Sequence, residues 1–347
     1  MLPISVCIIS KNEEKHIEEC MKHLLPYSFE IILVDTGSTD NTVTLAKKYT
    51  DKIFHFDWCN DFSAARNFSI EKASNDWVLI LDCDEYLMPL DEPVLAPLLI
   101  PERVGMIMQR NLHSNNTFGT VPIPRLFHKK FFLYHGLIHE QVVSISGAKF
   151  ICQNVPITVD HYGYYDNTVL AEKSSRNQAL LLKELETDDT NPYILYQLGK
   201  CCFSIKEYEK TCAYFEKAFT MDIDESLDYL LDMIEIYAIC LIQQKRYREA
   251  LDLEGVYDVC SRHADYLYLM GEIYLYNDMT KKAISMFELA IRTPYHDADG
   301  INSYRPNYKL GCIYEILGDI KRAKEYYTLC GSYSPATFRL KELCNIP

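Results

Sequence analysis

The sequence contains no uncharged apolar run of about 18 residues, the length that a membrane-spanning helix needs. It also lacks any C-x-x-C pair, although it holds 13 cysteines. That number is odd, Cys201 and Cys202 are adjacent, and the others are scattered through apolar stretches. They therefore read as reduced, buried small side chains rather than disulfide partners or zinc ligands. The first 14 residues have no basic start and turn acidic at once, unlike a secretory signal, so the cytoplasm is the expected compartment. A basic excess is missing too. Lys and Arg number 35 against 49 Asp and Glu, net −14, and both halves of the chain share the deficit. Nucleic acid is accordingly not an expected partner.

What is present falls into two grammars, in line with the two domains expected for 347 residues. In the first half, ISVCIIS (Ile4–Ser10), EIILVD (Glu30–Asp35), and residues 52–56 and 77–82 are short, rich in Ile and Val, and bounded by turn or charged residues. They read as strands. Helical stretches at 12–25, 40–48 and 61–73 lie between them, the first with apolar Ile17, Met21, Leu24 and Leu25 on one face. Strand–helix alternation with short connections predicts βαβ units and a parallel sheet covered on both faces. VGMIMQ and residues 122–133 are candidate further strands.

Near Asp166 the texture changes, and from Asn191 onward strands disappear. Gly199, Gly271 and Gly311 follow Leu198, Met270 and Leu310. Twelve residues after each Gly stands Thr211, Ala283 or Ala323, and sixteen after stands Phe215, Phe287 or Tyr327. A fainter copy carries Ala238, Tyr247 and Ala250. The pattern resembles the tetratricopeptide repeat, with units at about 191–223, 230–258, 264–295 and 304–336. Small residues would let paired helices approach, and the aromatics would fill the gap to the next repeat. The expected layout is 1–165 for the α/β domain, 166–190 for a helical linker and 191–347 for an all-α repeat solenoid.

The strongest chemical feature is Asp82-Cys83-Asp84-Glu85 at the end of an apolar strand. Three carboxylates in four residues repel one another and favour a hard cation such as Mg²⁺ or Mn²⁺ between them. On its own such a run is usually a solvated turn. Position adds weight, because open α/β sheets bind ligands beyond the carboxyl ends of their strands. Ser10-Lys11-Asn12-Glu13, the 35–42 run DTGSTDNT, and the 61–67 run DFSAARN should share that edge. Each has a plainer reading. Asp40, Thr39 and Asp61 suit helix caps, Gly37 a positive-φ turn, and Arg66 a surface ion pair. Convergence on one rim favours a ligand: Asp35 can accept from a base N–H, and the fork of Arg66 matches a pyrophosphate.

Together S-K-N-E-E, V-D-T-G-S-T-D-N-T, D-F-S-A-A-R-N and D-C-D-E resemble the family 2 glycosyltransferases, over about 1–165. The resemblance implies the GT-A fold, a Rossmann-like nucleotide-sugar-binding domain, and hence an enzyme. In that family the D-x-D motif binds a divalent cation and the donor diphosphate, roles that fall on Asp82 and Asp84, with Asp84 as the metal ligand. Donor contacts would come from Ser10, Asn12, Glu13 and Asp35, with Arg66 on the diphosphate. A His late in the domain commonly completes the metal site, and His161 is the candidate. Arg125-Leu126-Phe127, the 134–140 run YHGLIHE, and the 160–164 run DHYGY resemble the subgroup with a tetratricopeptide tail. Many family members carry the catalytic carboxylate in an E-D pair after the D-x-D strand, which this sequence lacks; Glu140 is the substitute, with His139 as the alternative.

The pairing of domains resembles the sublancin-type peptide glycosyltransferases. It implies metal-dependent, inverting transfer from a nucleotide sugar, UDP-linked by expectation, to a peptide or protein acceptor held by the repeats. The acidic surface would suit a basic peptide. A lipid-linked or cell-envelope glycan acceptor is the rival, and would call for a basic or amphipathic membrane-facing patch. A non-catalytic repeat scaffold is the second rival, against which Asp82, Asp84 and Arg66 argue. A homodimer through a terminal repeat is a further expectation.

Overall fold

The computed structural model describes residues 2–112, 118–162, 167–221, 223, 228–296 and 298–344. The chain forms two compact units, Met1–Glu184 and Leu185–Pro347. The expected 165/166 boundary, with Gly163, Tyr164 and Asp166, lies outside the described residues.

In the first unit, β1 (Ile4–Ser10), α1 (Ile17–Leu24), β2 (Glu30–Asp35), α2 (Thr42–Ala46), β3 (Ile53–His55), α3 (Phe62–Lys72) and β4 (Trp77–Leu81) alternate as the pattern requires. Successive residues of a strand face opposite sides, and both sides are apolar here. Val6, Ile8, Leu33, Leu79 and Leu81 pack with Ile17, Cys20, Met21 and Leu24 of α1. Cys7, Ile32, Val34, Val78 and Ile80 form the other layer with Ile70 of α3. The parallel register sets Ser10 beside Asp35 and Ile8 beside Leu81, so three strands end on one rim.

The rest of the sheet departs from the all-parallel expectation. After β5 (Glu85–Leu87) and α4 (Glu92–Leu95) come β6 (Arg103–Leu112), β7 (Phe118–His128), β8 (Phe132–His135), β9 (Gln141–Ser144) and β10 (Ile151–His161). The strand order is β3-β2-β1-β4-β7-β6-β10-β5, while β8 and β9 pair separately. Strand β7 runs antiparallel to β4 and β6, β6 and β10 are parallel, and β5 is antiparallel to β10. The reason is connectivity: β6 and β7 follow each other closely, and a short link cannot make a parallel crossover. Helix α5 (Asn167–Thr187) follows.

The second unit is helical: α6 (Pro192–Ser204), α7 (Tyr208–Ala218), α8 (Asp228–Gln243), a 3₁₀ turn (Glu249–Val256), α9 (Tyr257–Cys260), α10 (Ala264–Tyr276), α11 (Thr280–Arg292), α12 (Tyr304–Ile316), α13 (Ile320–Leu329) and α14 (Ser334–Cys344). A Cβ placed on Gly199, Gly271 or Gly311 would lie 2.1, 2.6 or 2.5 Å from the ring of Phe215, Phe287 or Tyr327. Each aromatic thus seats on the glycine of its own helix pair, a correction to the expectation that it fills the gap to the next repeat. The faint second copy is the irregular one: its second helix is the 3₁₀ turn plus the four-residue α9.

The twelve described cysteines are free thiols, most of them buried. No helix among the described residues is long and apolar enough to cross a membrane.

Candidate functional site

Strand β4 delivers the acidic turn to the rim. There the Asp82 N–H donates to Glu85 Oε2 at 2.8 Å. Helix α3 starts at Asp61, whose carboxylate accepts the Ala64 N–H at 2.8 Å, as a cap should. This start turns Ala65, Arg66, Ser69 and Ile70 inward, so Arg66 is buried instead of making the surface pair its helical position suggested. Arg66 Nη2 donates to Asp82 Oδ1 at 2.9 Å, and its Nε donates to Glu140. From β7, Arg125 Nη2 donates to Asp82 Oδ2 at 2.9 Å and lies 3.6 Å from Glu85.

These contacts overturn the expectation of three carboxylates around one cation. Both oxygens of Asp82 are held by arginines. Glu85 is fully buried and accepts from Gln109 Nε2 at 2.5 Å. Among the described residues, no group of three or more His, Cys, Asp or Glu could hold a metal. Asp82 and Asp84 both line the cavity, and Asp84 lies beside His161 from β10, with Nε2 to Oδ2 at 3.4 Å. His161 Nδ1 lies 2.7 Å from Asn111 Oδ1, an acceptor, so Nδ1 carries a proton and Nε2 faces Asp84.

The charges are tuned by this packing. Burial would pull the Arg66 and Arg125 guanidiniums down, but the carboxylates around them outweigh it and hold both above the ordinary value. Burial would raise Asp82, yet the two arginines keep it well below the usual carboxylate range. Burial does raise Glu85. For His161, burial works downward and Asp84 upward, with a net rise.

A cavity of about 320 Å³ opens here, lined by Ser10, Arg66, Asp84 and His161, by the aromatic pair Trp58 and Phe62, and by Arg176 of α5. Two polar atoms at its wall, Ser10 Oγ and Arg66 Nη1, are buried and have no hydrogen-bond partner among the described residues. Glu13 also lines it, with its N–H donating to Thr42 Oγ1 at 2.7 Å. The other expected residues sit apart. Asn12, at φ 57°, ties two rim loops together: its Oδ1 accepts the Thr39 N–H at 2.8 Å, and its own N–H donates to Ser38 Oγ at 2.9 Å. Asp35 accepts the N–H groups of Gly37 and Ser38, both at 3.1 Å, and borders a neighbouring depression with His55. Glu140 is turned to Arg66. His139 is exposed, and its carbonyl accepts from Gln141 Nε2 at 2.9 Å. Arg125, Trp58 and Arg176 escaped the sequence reading. Arg125 stood in the quoted R-L-F, but nothing local paired it with Asp82, 43 residues away.

Comparison with known proteins gives family-level matches to both parts of the chain. The profile described as Glycosyl transferase family 2 matches residues 5–172, and a tetratricopeptide repeat profile matches 192–224, 264–293 and 304–337. The chain is 26% identical over 335 residues to the SPbeta prophage-derived glycosyltransferase SunS of Bacillus subtilis, covering 88% of this chain and 75% of that one. It is 30% identical over 177 residues to a TPR repeat-containing protein of Synechococcus elongatus, covering 47% of this chain and less than half, 43%, of the relative. Among solved structures, MamA aligns with a TM-score of 0.40 and 20% identity, over 52% of this chain and 96% of its own. Residues 5–172 therefore belong to the family 2 glycosyltransferases, as the catalytic domain of a chain that continues into tetratricopeptide repeats.

Proposed function

We propose that this chain transfers a sugar from a nucleotide-diphosphate donor, UDP-linked in the first instance, to a peptide or protein acceptor, with inversion at the anomeric carbon. The observation that carries the donor half is the wall of the cavity. Ser10 Oγ and Arg66 Nη1 are buried donors without partners, beside an Asp84–His161 pair that faces the same space. Buried polar groups are almost always satisfied, so two orphans on one wall favour a polar ligand there.

The residues present fit a divalent cation shared with the donor. One carboxylate and one imidazole are too few for an all-protein cage, but they suit Mg²⁺ or Mn²⁺, which keep substrate phosphates and water as ligands. Asp84 and His161 would hold it, and when bound it supplies charge stabilisation to the departing diphosphate. Asp82, neutralised by two arginines, positions Arg66, whose Nη1 donates to the diphosphate. Asp35, Asn12 and Glu13 shape the loops that receive the nucleoside. Acceptor deprotonation falls to Glu140, with His139 as the alternative. Whichever of Glu140→Gln and His139→Ala abolishes turnover while leaving donor binding intact identifies the base.

The acceptor half rests on the repeats, since stacked helix pairs make extended surfaces suited to peptides. The net charge of −14 favours a basic one. The domain layout proposed remains catalytic 1–165, linker 166–190 and repeats 191–347, in a cytoplasmic protein able to form a homodimer. The test is nucleotide release from a panel of UDP-, GDP- and dTDP-sugars with and without Mn²⁺. Cation-dependent release or nucleotide binding supports the transferase. Neither, from any donor, would leave the scaffold reading in its place.

A further inference from the structure

Arg176 does not belong to any feature described so far as donor binding. It lies beyond the matched family 2 segment, which ends at residue 172, on helix α5. Yet it lines the same cavity as Ser10, Arg66, Asp84 and His161. Three observations make it more than a surface cation. Its guanidinium stands over the ring of Phe62, 5.3 Å from the centroid, and Phe62 packs edge-on to Trp58 at 4.7 Å. This contact holds the head group at the cavity wall. Among the described residues no carboxylate pairs with it; its hydrogen bonds go to Asn177 Oδ1 at 3.1 and 3.4 Å. The other two arginines of the site are paired with acids, Arg66 with Asp82 and Glu140, Arg125 with Asp82 and Glu85. Arg176 is an exposed residue, and the desolvation of its head group against the wall draws its guanidinium below its ordinary value.

A planar cation held in place on an aromatic face, without a protein anion, is matched chemically by an anionic ligand that fits its fork. Charge on the cavity wall says which kind. Arg66 and Arg125 are matched by Asp82 and Glu140, so a cation at Asp84 and His161 would leave Lys11 and Arg176 against Glu13 on the wall. That balance suits a doubly or triply charged phosphate ester rather than a neutral sugar or a basic peptide. Helix α5 is tied to the catalytic unit, because Glu184 Oε2 accepts the Leu137 N–H at 3.3 Å. Resting on the donor reading above, we infer that Arg176 is a diphosphate-binding residue of the nucleotide-sugar site, supplied by the helix that follows the family 2 domain.

The test uses the full chain with Mn²⁺ and compares wild type, Arg176→Gln and Arg176→Lys. Calorimetry measures UDP, GDP and dTDP, and ligand-observed NMR measures the matching uncharged nucleoside. The expected result is a roughly ten- to hundredfold loss of diphosphate affinity in Arg176→Gln, the range of a charge-assisted hydrogen bond. Nucleoside binding and the melting midpoint should be unchanged, the salt dependence of diphosphate binding reduced, and Arg176→Lys intermediate. Unchanged diphosphate affinity in Arg176→Gln overturns this inference and leaves the donor reading standing. An equal loss for diphosphate and nucleoside also overturns it, since the residue would then shape the cavity rather than bind phosphate. If wild type binds no nucleoside diphosphate, both the inference and the donor reading fall.

Discussion

The two units solve the problem of burial in opposite ways. The helical unit rests on close packing, with Gln197, Thr211, Asp265 and Asn307 as its buried polar side chains among the described residues: Gly199, Gly271 and Gly311 each take an aromatic ring from the partner helix, and the fit repeats along the chain. The α/β unit buries Asp35 at the end of β2, Arg66 on α3 and Glu85 at the start of β5 along one rim. Burying charge without a structural need costs several kcal/mol per ion. The contrast separates a rim of buried charges from repeats built on close helix packing, although both sit in one chain.

The sharpest way to break that contrast is to remove the carboxylate that meets His161 rather than an arginine. Asp84→Ala should cut cation-dependent nucleotide release on the order of a thousandfold while barely moving the denaturation midpoint. Comparable loss of stability would place Asp84 with the structural charges. Next is the structural charge itself. Asp82→Asn leaves Arg66 and Arg125 facing each other without their shared anion, so urea unfolding should show a loss of about 3–5 kcal/mol. A stability change near zero would mean that the network does not hold the rim.

The helical side has its own probe. Gly271→Ala sets a methyl 2.6 Å from the Phe287 ring. Overpacking of this kind costs about 1–3 kcal/mol, and calorimetric donor affinity in the other unit should stay at the wild-type value. The smallest effect is acid sensitivity far from the rim. Burial would raise Glu30, but Lys52, Ser5 and Ser74 outweigh it and hold its carboxyl at about 2 rather than 4.5. A depressed folded value means that its contribution is full above about pH 4.5 and fades as pH falls toward 2. Glu30→Gln should flatten the decline in melting temperature over that interval; an unaltered slope would assign acid unfolding to other carboxylates.

Much of the rim was legible in the residues. β1 and β2 begin and end where the Ile and Val runs do, and β3 and β4 differ by a residue at their ends, because a strand covered on both faces admits no polar interruption. Asp61 was readable as a cap, since its side chain acts on the backbone three residues on. The repeat spacing was readable because each glycine and its aromatic are sixteen residues apart in the same helix pair. The later sheet was not, since β7 inserts beside β4 only after the chain has passed through β5 and β6.

By itself, then, the sequence determined the elements whose causes are local: strand runs, caps, turn glycines, the periodic helix pairs, and which carboxylates stand at a strand end. Only the tertiary structure decided what those carboxylates do. Asp82 and Asp84 are two residues apart in one turn, yet one is locked by arginines from α3 and β7 and the other meets a histidine from β10. Their difference is set by charges 16, 43 and 77 residues away. Coulomb interaction depends on distance in space and on burial, and neither is written in the order of the chain.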